Sequence, residues 1–189
     1  MRIIAGRHRG TKLTEPAGAS TRPTADRVRE SLFNILAGGR FGEAVPDSHV
    51  IDAFAGTGAL GLEALSRGAA HASFMERDPG ALMTLRANID RLGRQADSTV
   101  IAGDALKLAS WRGDAAGLVL ADAPYGSGDG LTVAARLGEV GALVPDALVV
   151  IETGQGETLD ETALANAGFT VLDSRRYGRA RLHFLRFRG

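Results

Sequence analysis

The sequence contains no cysteine, one tryptophan and two tyrosines among its 189 residues. The absence of cysteine excludes disulfide bridges, thiolate nucleophiles and cysteine-held iron–sulfur clusters. No apolar run approaches the roughly 18 residues that a membrane-spanning helix needs, and the first residues lack the apolar core of a signal peptide. These absences favour a cytoplasmic location.

The net charge is zero, but the charges are unevenly distributed. Residues 1–40 carry a net charge of +5 and residues 175–189 carry +6, whereas residues 41–174 carry −11. Two basic ends around an acidic middle indicate a phosphate-binding surface that the termini build. The alternative is solvated charge on a surface hairpin and an edge strand.

The length, with 44% apolar and 23% charged residues, is typical of one soluble globular domain with a small appendage. Residues 1–40 predict a basic N-terminal extension that contacts phosphates, and residues 41–189 predict the main domain. In the extension we expect short strands at 2–5 and 11–13, a loop, and a helix. Thr24 or Asp26 is the expected helix cap, and Gly38-Gly39 is the expected end.

From residue 49 onward the pattern alternates between apolar strands and amphipathic helices. Strands are predicted at 49–53, 72–75, 98–101, 117–121, 147–152, 170–177 and 181–187. Helices are predicted at 59–67, 79–92, 105–108, 132–140 and 160–167. The early strands are continuously apolar, as in a parallel sheet that is covered on both faces. The last two are joined by three residues, too few for a crossover, so they predict an antiparallel hairpin.

The segment from Val50 to Gly61 predicts a buried strand, a tight glycine loop and the start of a helix. Gly56, Gly58 and Gly61 fit the dinucleotide-binding spacing, and Glu76 follows Gly56 by twenty residues. On spacing alone, NAD is therefore a possible ligand.

Three acids at strand ends favour a different cofactor. Asp52 closes the first strand, where it can accept from a ligand amine or order the loop. Glu76 stands where a ribose diol would lie, and Asp104 can accept from an adenine amino group or cap a helix. S-adenosylmethionine offers a positive charge, a diol and an amino edge, whereas a pyrophosphate tolerates so many carboxylates poorly.

The tetrad Asp122-Ala123-Pro124-Tyr125 follows another apolar strand. A carboxylate and an adjacent backbone carbonyl can both accept from the exocyclic amine of a base, which is a weak nucleophile. Pro124 stiffens the turn, and Tyr125 offers a ring on which the base can stack. Hydride transfer has no evident use for such a tetrad.

These motifs resemble the class I S-adenosylmethionine-dependent methyltransferases that modify amino groups of bases. The N-terminal segments narrow the resemblance to the RsmD family of bacterial 16S rRNA guanine-N2 methyltransferases. The matching segments are MRIIAG (1–6), RGTKL (9–13), TRPTADRVRESLFN (21–34) and GALGLEALSRGA (58–69).

The resemblance implies a Rossmann-like α/β fold with a mostly parallel seven-stranded sheet, a C-terminal antiparallel hairpin and a small N-terminal hairpin and helix. It implies methyl transfer from S-adenosyl-L-methionine to the N2 of one guanine of 16S rRNA in a ribosomal particle. No His, Cys or carboxylate cluster has metal-ligand spacing, so we expect no metal. The cofactor-binding residues are then Asp52, Phe54, Gly56, Gly58, Glu76, Asp104 and Ala105. The catalytic residues are Asp122, Ala123, Pro124 and Tyr125, with Ala123 in place of the family's first proline.

The predicted RNA-binding residues are Arg7, Arg9, Lys12, Arg22, Arg27 and Arg29. Alternative functions are adenine-N6 methylation of DNA or RNA, an NAD-dependent oxidoreductase, and a non-catalytic RNA-binding assembly factor. Methyl incorporation into RNA separates a methyltransferase from an NAD-dependent oxidoreductase and from a non-catalytic assembly factor.

Overall fold

The computed structural model describes residues 1–15 and 23–189, with side chains from Asp26 onward in the second range. The predicted RNA contact at Arg22 and the predicted side-chain cap at Thr24 therefore lie outside what is described.

Seven strands form one sheet in the order β3-β2-β1-β4-β5-β7-β6. They are β1 His49–Ala53, β2 His71–Glu76, β3 Ser98–Ala102, β4 Ala116–Asp122, β5 Leu143–Gly154, β6 Phe169–Tyr177 and β7 Ala180–Phe187. The first five strands are parallel, and β7 runs antiparallel to both β5 and β6. The predicted fold class is confirmed.

Helices cover both faces of the sheet. They are α1 Pro23–Ala37, α2 Ala59–Ser66, α3 Pro79–Leu92, α4 Asp129–Glu139 and α5 Glu161–Asn166, with short 3-10 turns at Gln95–Asp97 and Ala105–Lys107. The helix predicted at 105–108 is thus a single 3-10 turn. Helix α1 begins at Pro23, which suits the first helical position, so Asp26 lies within the first turn and not at the cap.

The predicted N-terminal strands reduce to one antiparallel bridge between Arg2 and Lys12. The reason is a buried carboxylate on α2. Glu63 accepts hydrogen bonds from the backbone N–H groups of Ile4 and Ala5, at 2.7 and 3.0 Å. These two N–H groups therefore bond to the Glu63 side chain and are not available to extend the pairing between the two short strands.

The hydrophobic core continues into the N-terminal segment. Ile3 and Leu13 are buried in the same cluster as Val50 of β1 and Leu62 of α2. Helices α4 and α5 pack with the opposite face of the sheet. The domain boundary at residue 40 remains a prediction, but apolar packing crosses it.

The two edges of the sheet carry different features. We call the edge where β1, β2, β4 and β5 end the carboxyl edge. Because β7 is antiparallel to β5, with Gly154 opposite Ala180, the turn between β6 and β7 also lies at the carboxyl edge.

Candidate active site

A cavity of about 420 Å³ opens at the carboxyl edge of the sheet. Its walls include most of the predicted site residues and several that were not predicted: Phe54, Met75, Glu76, Arg77, Gly103, Asp104, Ala105, Asp122, Ala123, Pro124, Tyr125 and Asp129. The whole predicted catalytic tetrad thus faces the same space as four of the predicted cofactor residues. Asp52, Gly56 and Gly58 are not among the residues that line it.

The glycines of the first loop have two separate uses. Gly58 has φ +80°, and a Cβ there would lie 2.4 Å from the Leu85 side chain. A Cβ on Gly61 would lie 2.4 Å from the ring of Phe74. These two glycines therefore allow close packing between helices and sheet. Gly56, with φ +54°, has open space where its Cβ would be, so the loop backbone there is accessible to a ligand.

Asp52 orders the loop. Its side chain is 1% exposed, and its Oδ2 accepts the Gly61 N–H at 2.8 Å. Burial raises the pKa of Asp52 well above its ordinary value, and the nearby carboxylates of Asp122 and Glu76 add to that rise. Of the two predicted roles, the structure favours fixing the start of α2 over direct ligand contact.

Glu76 is held by three backbone donors. Its Oε2 accepts from Gly56 N at 2.7 Å, and its Oε1 accepts from Arg77 N and Asp78 N, both at 2.8 Å. A carboxylate has about four acceptor positions, so about one remains for a ligand. The prediction that Glu76 takes both hydroxyls of a diol therefore exceeds what this arrangement offers without a rearrangement.

Asp104 caps the 3-10 turn that follows β3. Its Oδ1 accepts from Leu106 N at 3.1 Å, and its Oδ2 lies 3.6 Å from the Arg77 guanidinium and 3.9 Å from the Lys107 ammonium. The capping role expected from the sequence is confirmed. Its adenine-binding role stays a prediction, which the position of Asp104 on the cavity wall allows.

Asp122 and Glu152 are neighbouring carboxylates on the β4 side of the cavity. They end neighbouring strands and are directly paired in the register of β4 and β5. Although the Asp122 oxygens reach the cavity, the surrounding protein removes much of their hydration. This desolvation, together with the charge of Glu152, raises the pKa of Asp122 to about 7. Desolvation also raises the pKa of Glu152, while a hydrogen bond from Tyr125 opposes the rise.

Tyr125 is oriented by that same glutamate. Its hydroxyl donates to Glu152 Oε1 at 2.6 Å, and its ring is 49% exposed. The ring also lies close to the position that a Cβ on Gly154 would occupy, at 3.5 Å. The hydroxyl contact and the small neighbour together fix the ring while leaving nearly half of its surface open.

Glu152 and Arg77 are the main residues that the sequence interpretation missed. Both follow or end predicted strands, and the carboxyl ends of parallel strands converge at one edge. That rule could have identified Glu152, since the predicted strand 147–152 ends on it. The contact between Glu152 and the Tyr125 hydroxyl depends on the path of the tetrad loop, which carries no sequence signal.

The predicted RNA-binding residues that the structure describes lie outside the cavity. Arg7, Arg9, Lys12 and Arg27 are exposed. Arg29 differs, because it is 5% exposed and its Nη2 donates to the Arg2 carbonyl at 2.6 Å. Its guanidinium holds the N-terminal segment, so its placement does not suit a phosphate contact.

A larger groove of about 610 Å³ lies on the sheet face near the starts of β1, β2 and β3. None of the predicted site residues lines it. Its two histidines, His49 and His71, are hydrogen-bonded to Ser73 and Thr99. Across residues 1–15 and 23–189, no three His, Cys, Asp or Glu side chains group as metal ligands, and no helix is long and apolar enough to cross a membrane.

The strand order, the glycine loop after β1 and the cavity at the carboxyl edge together define a class I methyltransferase fold. Residues 1–186 match the family described as Conserved hypothetical protein 95. The chain belongs to this family, which is the RsmD family of the sequence resemblance.

Named relatives agree with this membership. The chain is 38% identical over 153 residues to Ribosomal RNA small subunit methyltransferase D of Escherichia coli (strain K12), which covers 81% of this chain and 74% of the relative. It is 35% identical over 165 residues to YlbH of Bacillus subtilis (strain 168), provisionally named an rRNA methyltransferase, which covers 86% and 87% of the two chains. A solved structure of yhhF from Escherichia coli, provisionally titled a methyltransferase, has a TM-score of 0.82 at 32% identity, covering 100% of this chain and 98% of the other.

Proposed function

We propose that the protein transfers a methyl group from S-adenosylmethionine to the exocyclic N2 of a guanine in 16S rRNA. The observation that carries this proposal is the shared cavity. Asp122 to Tyr125 line the same space as Glu76 and Asp104, so an amine-binding tetrad faces a cofactor-binding wall. The names of the relatives supply the substrate class, since they are rRNA methyltransferases of the small subunit.

The residues present fit the cofactor. The cavity volume of about 420 Å³ lies within the usual range for a small-molecule site, roughly 300–1,000 Å³. Glu76 has an acceptor position left for a ribose hydroxyl, and Asp104 offers one for an amino group. Gly56 and Gly103 have open space at their Cβ positions, so the backbone can approach a ligand closely. When bound, S-adenosylmethionine supplies an electrophilic methyl group on a sulfonium centre.

On the substrate side, the chain holds and deprotonates the amine. Asp122 accepts one N–H of the guanine amine, and the carbonyl of Ala123 accepts the other. Burial and the neighbouring Glu152 raise the pKa of Asp122 to about 7, so its carboxylate is more basic than an ordinary aspartate. It is basic enough to receive the proton that the amine loses as the new C–N bond forms.

Tyr125 positions the base. Its ring presents an open face, and Glu152 fixes the hydroxyl so that the ring does not rotate away. A base inside an RNA stack cannot reach this cavity, so we infer that the target guanine is turned out of its stack. Removing the guanine from water and holding both hydrogens of its amine position the nucleophile for methyl transfer.

The proposed setting is a small ribosomal subunit or an assembly intermediate in the cytoplasm. The test is incubation of the protein with isotope-labelled cofactor and small subunits that lack the modification, followed by nucleoside mass spectrometry. We expect labelled N2-methylguanosine with the native protein and almost none with Asp122→Asn. Labelled N6-methyladenosine would instead establish an adenine methyltransferase, and binding of NADH in place of S-adenosylhomocysteine would contradict the proposal altogether.

A further inference from the structure

We propose that the turn between β6 and β7 holds the backbone phosphates of the RNA that flanks the target nucleotide. This inference rests on the proposed function. We call this feature the arginine turn and define it by Arg176, Arg179 and Arg181. The RNA contacts predicted from the sequence lie in the N-terminal segment instead.

The arginine turn lies beside the substrate side of the cavity. Arg181 is paired with Thr153 of β5, and the carbonyl of Arg179 accepts from Gln155 N at 2.7 Å. Glu152, which holds the Tyr125 hydroxyl, immediately precedes Thr153. The arginine turn is therefore within a few residues of the groups that are proposed to bind the guanine.

The charges of the arginine turn are not neutralised by a carboxylate among the described residues, and the Arg176 guanidinium donates to the neutral side-chain amide oxygen of Gln155 at 2.9 and 3.1 Å. Arg176 and Arg179 are exposed and Arg181 is half-buried. In the part of the chain that the structure describes, none of the three forms an ion pair. Neighbouring Arg175, by contrast, lies 2.8 Å from Asp173, which also pairs with Arg40.

The electrostatics of the cavity require cations at this edge. Asp122 and Glu152 carry negative charge close to where RNA must enter, and Glu76 and Asp104 add more. Phosphates that approach the cavity are therefore repelled unless nearby cations compensate. The arginine turn supplies three such cations on the side where the base enters.

A separate cleft of about 400 Å³ lies between α1 and β6. Ser31, Asn34 and Tyr177 line it with hydroxyl and amide groups, together with Arg40 and Arg175. Such donors are typical of contacts to phosphate and ribose oxygens. Side chains alternate along β6 and β7, which places Arg176 and Arg181 on the opposite sheet face from this cleft, so the proposed phosphate contacts rest on the arginine turn alone.

Arg7 and Arg9 lie at the opposite edge of the sheet. The N–H of Arg7 donates to the carbonyl of Ser66 at 2.8 Å. Ser66 is the last residue of α2, which starts at the carboxyl edge and has eight residues, or about 12 Å of helix. The two arginines are thus separated from the cavity by the length of that helix.

The test compares two double variants of equal charge change, Arg176→Gln with Arg179→Gln and Arg7→Gln with Arg9→Gln. The affinity of each for unmodified small ribosomal subunits is measured by filter binding between low and moderate salt. Each phosphate contact contributes about 0.7–0.9 to the slope of log affinity against log salt. We expect the slope of the first variant to flatten by about 1.4–1.8 for two lost contacts, and that of the second to stay near the native value.

Two controls keep this outcome separate from the proposed function. Affinity for S-adenosylhomocysteine, measured by calorimetry, reports whether the cavity of each variant is intact. Subunit binding is measured without methyl transfer, so the absence of methylation by the native protein would sink the proposed function and leave the binding comparison valid. The inference is overturned if the variant of Arg176 and Arg179 keeps the native salt slope. It is also overturned if the salt slope of the Arg7 and Arg9 variant flattens by as much or more.

Discussion

The two sides of the cavity use carboxylates in opposite ways. On the β2 side, Glu76 accepts three backbone N–H groups. On the β4 side, no donor within the described residues contacts the Asp122 carboxylate, and Glu152 accepts only the Tyr125 hydroxyl. Carboxylates with several backbone donors fix the shape of a loop. Asp122 is desolvated and no backbone N–H stabilises its charge, so it keeps a raised pKa and remains free to accept from a substrate.

This difference assigns separate tasks to the two sides. Under the proposed function, the β2 side holds the loop in one shape for the cofactor, and the β4 side holds two neighbouring carboxylates whose repulsion an amine donor relieves. Each of the following changes is chosen to affect one side and spare the other.

The largest effect is expected from Asp122→Asn. The amide keeps the shape of the side chain but cannot take the amine proton, so methyl transfer should fall by roughly 10²–10³-fold, or about 2.7–4 kcal/mol of barrier. Single-turnover transfer to small subunits measures this change. Asp129→Asn is the matched control, because Asp129 lines the same cavity outside the tetrad. Near-native turnover in the Asp122 variant would remove Asp122 from the mechanism.

A smaller effect is expected from Glu76→Gln. Loss of a charged acceptor for a ribose hydroxyl should weaken S-adenosylhomocysteine binding by about 1.5–3 kcal/mol. Because Glu76 also orders the loop, the comparison needs a cofactor analogue that lacks both ribose hydroxyls. In a double-mutant cycle, the native protein should distinguish the two ligands more strongly than the variant does. Equal discrimination by both proteins would show that Glu76 acts only on the loop.

The pH dependence of methyl transfer tests the roles of Asp122 and Glu152. In the proposed mechanism the Asp122 carboxylate is the active form, and burial raises its pKa to about 7, so the single-turnover rate should rise as the pH increases through 7 and then level off. Glu152→Gln removes the neighbouring charge, and the midpoint should move to lower pH by about one unit. The opposite shift, or no shift, would indicate that another group sets the midpoint. Tyr125→Phe controls for loss of the hydroxyl contact alone.

The smallest effect is expected from Ala123→Pro, which restores the proline of the family tetrad. If the backbone angle suits proline, the free energy of unfolding should increase by about 0.4–1 kcal/mol, because the unfolded chain loses freedom. Activity should be kept or improved. Denaturant unfolding measures the stability, and a folded but inactive variant would show that this turn differs from that of the family.

The sequence predicts the elements that depend on local pattern. The strand at 49–53 and the helix at 79–92 have the predicted bounds, because an apolar run and an Asp-Pro start mark them clearly. The tetrad and the acids Glu76 and Asp104 also lie on one cavity, as the convergence of strand ends requires.

What the sequence leaves out depends on contacts between distant residues. Glu63 sits on an apolar helix face, and nothing local shows that it takes the N–H groups of Ile4 and Ala5. The pairing of Asp122 with Glu152 requires the register between β4 and β5, and the position of the arginine turn requires the order of β5, β7 and β6. Charge counts locate the basic segments along the chain but not on the surface.

The most direct test of the division between the two sides measures two quantities on the same preparations of Asp122→Asn and Glu76→Gln. These are the affinity for S-adenosylhomocysteine and the single-turnover rate of methyl transfer at saturating cofactor. We expect Asp122→Asn to keep the affinity and lose the rate, and Glu76→Gln to lose the affinity and keep most of the rate. Variants that each lose both quantities in the same proportion would contradict the division, because the cavity would then act as a single unit.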